Sequence, residues 1–136
     1  MKSRNARSVY FWAITACVAI FGAGSLHAQT PSVVRKLLLK QDMDIPGREA
    51  IMAMVQLPPG SAEGRHTHPA EVYVFVQEGT ITLENEGMPT VTLKAGDIFY
   101  IAPGKIHQAI NNGSVTAKLA GVFVAEKGKP LTTQVK

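Results

Sequence analysis

Between Val33 and Ala125 no apolar stretch runs far enough to make a helix of several turns before a turn signal interrupts it. The interruptions are Pro46-Gly47, Pro58-Pro59-Gly60, Glu78-Gly79, Asn85-Glu86-Gly87, Ala95-Gly96-Asp97, Ala102-Pro103-Gly104 and Asn111-Asn112-Gly113. Short segments bounded by Gly and Pro favour strands, and many at close spacing call for two packed sheets or a barrel. The expected strands are Val33–Leu39, Ala50–Leu57, Val72–Val76, Thr80–Glu84, Thr90–Leu93, Ile98–Ile101, His107–Ile110 and Ala117–Ala125. Ala50–Leu57 is rich in helix formers, but eight residues between two Pro-Gly breaks are too few for a helix. The charged, Pro-containing segment Glu126–Lys136 is expected to lie on the surface or fray. The fold class that follows is all-β, in one domain spanning residues 29–136.

The N-terminus has a different character. Lys2, Arg4 and Arg7 precede a charge-free run from Val9 to Phe21, and small residues lead to Leu26-His27-Ala28. A basic start, an apolar stretch and a small-residue end are the marks of a secretory signal peptide, here residues 1–28. Two alternatives are an uncleaved membrane anchor and lipidation at Cys17, since Ile14-Thr15-Ala16-Cys17 resembles a lipobox. Removal of the signal brings 14 basic residues down to 11, against 10 acidic ones. The net charge of +4 is therefore largely a property of the leader, and nothing remains to attract a polyphosphate. Nucleic acid is excluded as a partner, and after cleavage so is the membrane. The expected location is periplasmic or secreted. With Cys17 gone, no thiol is left to be oxidised there.

Three histidines remain, His66, His68 and His107. Side chains at i and i+2 of a strand share a face, so His66 and His68 can converge on one ion. His107 follows a Gly-rich turn some forty residues later, where a neighbouring strand brings it alongside. Neutral imidazoles suit a divalent transition metal, Fe, Mn, Ni, Cu or Zn. A histidine pair of this kind also arises by chance, as surface or core residues.

Gly60, then His66-Thr67-His68, Glu71 and Gly79 resemble the first motif of the cupin family. Gly96-Asp97, Pro103-Gly104, His107 and Asn111 resemble the second. The phrases PPG at 58–60, EGTITLE at 78–84 and LKAGDIFYIAPG at 93–104 look like those of small exported single-domain cupins. The resemblance implies a jelly-roll β-barrel with a metal held inside by His66, His68, His107 and a Glu. That Glu falls at position 72 or 73 in the family, and these are Val72 and Tyr73 here. Glu71 is the candidate fourth ligand only if a bulge at Pro69 turns it inward. In a regular strand it points the other way, as a surface or outer carboxylate.

Tyr73, Phe75, Phe99 and Tyr100 are strand residues, for packing or for contact with a ligand. Val74 and Val76 share the ligand face and should line the barrel wall. Asp97 and Asn111 fit turns, Gln108 should point away from the site, and Glu84 and Glu86 should be solvated. Met52, Met54 and Met88 are too scattered for a methionine copper site. The implied function is an exported metal-binding cupin, of dioxygenase type, acting on a small oxygen-rich or aromatic molecule. A non-catalytic module for a small ligand or metal is the alternative. A homodimer is expected, as many such barrels pair through a sheet edge or an N-terminal strand.

Overall fold

The computed structural model describes residues 31–136, so the expected signal peptide lies outside the described residues. The described chain forms ten strands: β1 Val34–Asp42, β2 Arg48–Leu57, β3 His66–Thr67, β4 Ala70–Glu78, β5 Thr80–Asn85, β6 Val91–Lys94, β7 Ile98–Ile101, β8 His107–Ile110, β9 Ala117–Glu126 and β10 Thr133–Gln134. They build two five-stranded sheets, in the orders β1-β2-β9-β4-β7 and β10-β3-β8-β5-β6. Every pairing within them is antiparallel. All eight expected strands are present, and β3 and β10 are additions to them.

Alternation along the chain sets the inner face. Ala70, Val72, Val74 and Val76 are buried, while Glu71, Tyr73 and Phe75 between them are exposed. Ile81 and Leu83 repeat the pattern on β5, and Leu119, Phe123 and Ala125 complete the core from β9. Period-two burial of branched side chains on two facing sheets gives one continuous apolar interior.

The chain passes from the first sheet to the second at Glu78-Gly79-Thr80. Gly79 has a φ of 76°, and a Cβ there would meet the Ala117 Cα at 2.8 Å. Both the left-handed backbone and the contact exclude a side chain. Gly79→Ala is expected to destabilise the fold by about 2–3 kcal/mol, read as a lower urea midpoint at unchanged slope.

A second fixed point is Asn111, wholly buried after β8. Its Nδ2 donates to Leu57 O at 2.7 Å and Val115 O at 2.8 Å, and its Oδ1 accepts from Gly113 N at 2.8 Å. It ties the end of β2 and the start of β9 to one loop, the turn role its sequence setting suggests. Asp97 also serves a turn, accepting from Lys94 N at 2.8 Å.

The C-terminal segment lies on the surface, as expected, but it does not fray. Instead of lying free, it returns to the second sheet, where Thr133 and Gln134 pair with Thr67 and His66. Its polar sequence hid a pairing that only the distant partner strand specifies.

Candidate metal centre

His66 lies on β3, His107 opposite it on β8, and His68 in the short link between β3 and β4. The alternation that buries Val72 and Val74 runs back through Pro69 unbroken, so His66 and His68 also face inward. All three imidazoles are buried, with ring centroids 4.3–5.0 Å apart. One ligand atom from each lies within 4.8 Å of the others.

Their hydrogen bonds fix what they offer. His66 Nδ1 meets Gly64 O at 2.7 Å, His68 Nδ1 meets Leu131 O at 2.7 Å, and His107 Nδ1 meets Lys105 O at 3.0 Å. A carbonyl only accepts, so each Nδ1 must carry the proton and donate it. In the neutral ring Nε2 is then a bare acceptor. Three such lone pairs converging in an apolar interior suit a cation, and backbone carbonyls behind ligating histidines are the usual support for a metal. The returning C-terminal segment supplies one of these supports, Leu131, and Thr132 Oγ1 stands 3.3 Å from the same His68 Nδ1. Phe123 packs edge-on against the His68 ring at 5.0 Å.

Burial, outweighing the carbonyl bonds that favour the cation, pushes His68 and His107 down to a pKa of about 4. The neighbouring His66, and at His68 also Arg35, act in the same direction. Both rings are neutral at pH 7, as ligation requires. An unfolded imidazole takes up its proton near pH 6.5, so between about 6.5 and 4 the unfolded chain binds more protons. The stability of the metal-free protein should be full above that window and fall through it, by roughly 3 kcal/mol for each ring. Urea midpoints measured from neutral pH down to about pH 4 check this. A flat profile would mean that the rings are hydrated.

Glu71 is not part of the cluster. It is exposed on the outer face of β4 and accepts a hydrogen bond from Tyr73 OH at 2.9 Å. No bulge forms at Pro69, so the strict alternation keeps position 71 outside and puts Val72 in the cavity wall. Val74 lines the cavity as expected, and Val76 is buried behind it. Gln108 points away and donates to Glu84 at 2.7 Å. Phe99 reaches the cavity, whereas Tyr73, Phe75 and Tyr100 are on the outer surface.

One residue was not anticipated. Glu63 lines the cavity beside His66 and His68, where the other walls include Val55, Leu83 and Phe123. Gly64, with a φ of 77°, turns the chain between Glu63 and His66, so strand parity does not apply across it. The Gly after Glu63 was the available signal. The space beside the histidines is about 30 Å³, and it shares Val55, Glu63, His66, His68 and Phe123 with a cleft of about 310 Å³ against β1.

Residues 53–124, more than half of the chain, match the family described as "Cupin domain". This chain is a cupin. Its two sheets are the double-stranded β-helix of that family. The cupin is 31% identical over 91 residues to an oxalate-binding protein of Thermotoga maritima, covering 65% of this chain and 71% of that one. It is 36% identical over 90 residues to germin-like protein subfamily 2 member 1 of Arabidopsis thaliana, covering 60% of this chain. The aligned region spans 41% of that germin-like protein's length. An oxalate oxidase solved with the substrate analogue glycolate superposes with a TM-score of 0.64 at 21% identity, over 85% of this cupin and 61% of that chain.

Proposed function

We propose that this cupin binds one divalent transition metal through Nε2 of His66, His68 and His107 and presents it to a small oxygen-rich anion. The observation that carries the reading is the triple tautomer lock, three Nδ1–H groups held by carbonyls. An ion held by three neutral ligands keeps its full charge and open positions, and when bound it supplies Lewis acidity or redox chemistry there. A cleft of about 310 Å³ shares the His66 and His68 walls and leaves room for a small ligand beside the ion. The oxalate-binding relative supports the same substrate class. The chain's own part is to orient the ion, exclude water with Val72, Val74 and Phe99, and admit substrate through the cleft beside β1.

Turnover of dioxygenase type is the leading reading, in an exported protein. Val72, in the wall at the family's Glu position, favours the second one, a module that captures a small ligand or metal without turnover. Elemental analysis of protein purified without chelator or histidine tag, beside a His66→Ala, His68→Ala double variant, tests the site. Near-stoichiometric metal lost in the variant is expected; absence of metal after reconstitution would overturn the reading. Oxygen consumption with small carboxylic acids then separates enzyme from binding module.

The protein is further proposed to act as a homodimer through the outer face of the first sheet. Leu39, Met52, Val122, Tyr73 and Tyr100 form one exposed row across all five strands. Phe75 and Ile98 extend it. An apolar row that crosses a whole sheet suits an interaction surface, and a twofold axis would pair such a face with its own copy. Sedimentation should give a dimer at micromolar concentration and a monomer for Phe75→Asp; a monomeric parent protein would overturn the pairing.

A further inference from the structure

The family's ligand set includes a carboxylate that this chain lacks on β4, since Val72 occupies the inward position and Glu71 faces out. A divalent ion on three neutral imidazoles, inside an apolar wall, leaves a buried charge without a counter-charge. Among the described residues that line the cavity, Glu63 is the one acidic side chain.

The backbone that carries it is anchored to β8. Glu63 N donates to Ala109 O at 3.0 Å, and Ala62 bridges Ile110, so the segment is bound to β8 two residues beyond His107. The Glu63 side chain is 11% exposed and faces both the cavity and the cleft. Across the cleft, Arg35 on the edge strand β1 holds it by Nη2 to Oε1 at 3.3 Å. The Glu63 carboxylate stands outside the group of ligand atoms that the three histidines bring together. The pair is asymmetric, since Arg35 is 46% exposed and remains solvated while the carboxylate sits at the edge of the apolar interior.

We infer that Glu63 is the counter-charge of the metal centre, a carboxylate relocated from β4 to the loop before β3, and that Arg35 holds it at the mouth. The inference rests on the proposal that the three histidines bind a metal. It makes Glu63 a determinant of ion affinity, and Arg35 a competitor for the same carboxylate. The two residues should therefore act with opposite signs, which a purely structural ion pair would not produce.

The test is Co(II) binding to the full chain, by competition with a chromophoric chelator, together with the visible spectrum of the bound ion. Glu63→Gln keeps the shape and removes the charge. It is expected to weaken Co(II) binding at least tenfold, in the range typical of lost supporting partners, and to alter the spectrum. Arg35→Gln is expected to tighten Co(II) binding. Adding Val72→Glu to Glu63→Gln, which restores a carboxylate at an inward position, should recover affinity. Urea unfolding of the metal-free variants confirms that each is folded. Glu63→Gln binding within twofold of the parent protein would overturn the inference, as would equal weakening by Arg35→Gln. A parent protein that binds no metal fails at the histidine site instead, so the two failures are distinguishable.

Discussion

Saturation with a divalent transition metal is expected to stabilise the fold by about 4 kcal/mol once the free ion exceeds its Kd a thousandfold. The ligand atoms come from β3, β8 and the link into β4, so unfolding must release the ion. The expected signal is a metal-dependent rise in the urea midpoint, and the quantity to read is the difference between loaded and metal-free protein. His66→Ala should remove nearly all of that difference, whatever it does to the metal-free fold, because two imidazoles make a poor site. The gain should also fall away below about pH 4, where His68 and His107 take up protons, since coordination and protonation use the same Nε2 lone pair. A His66→Ala variant that gains as much from the metal as the parent protein would place the ion elsewhere.

Replacing Asn111 should be nearly as costly, and without any involvement of metal. Its side chain is wholly buried and serves two carbonyls and one N–H. Asn111→Ala leaves all three unpaired in a place water does not reach, at about 3–5 kcal/mol in total. For a domain of this size that lowers Tm by roughly 15 °C or more. Asn111→Asp is the sharper variant. The carboxylate still accepts from Gly113 but has nothing to donate to Leu57 and Val115, so an ionised group would face two carbonyl oxygens. Its Tm at neutral pH is expected below that of the alanine variant, and its deficit relative to the parent protein should narrow in acid as the carboxyl protonates. Calorimetry across pH checks both. A variant as stable as the parent protein would mean that the loop re-forms around water.

The sheets were legible because their strands carry strict alternation and each is closed by Gly or Pro. The same alternation rightly raised the objection to Glu71, and it holds because the chain crosses Pro69 without slipping register. It placed His66 and His68 on one side although His68 falls outside any strand. Alternation says nothing where the backbone turns left-handed, and there Glu63 was missed. It is equally silent about pairings made by short polar segments, and so Leu131 and Thr132 went unseen behind His68. Those contacts depend on where a distant strand comes to rest, which no local pattern encodes.

The bond from His68 to Leu131 spans 63 positions of sequence. It orders events in time as well as in space. A ribosome adding about 5–20 residues per second needs several seconds to travel from one partner to the other. Throughout that interval His68 has no Leu131 carbonyl to fix its proton on Nδ1. The arrangement around His68 is thus complete only once nearly all of the described chain exists.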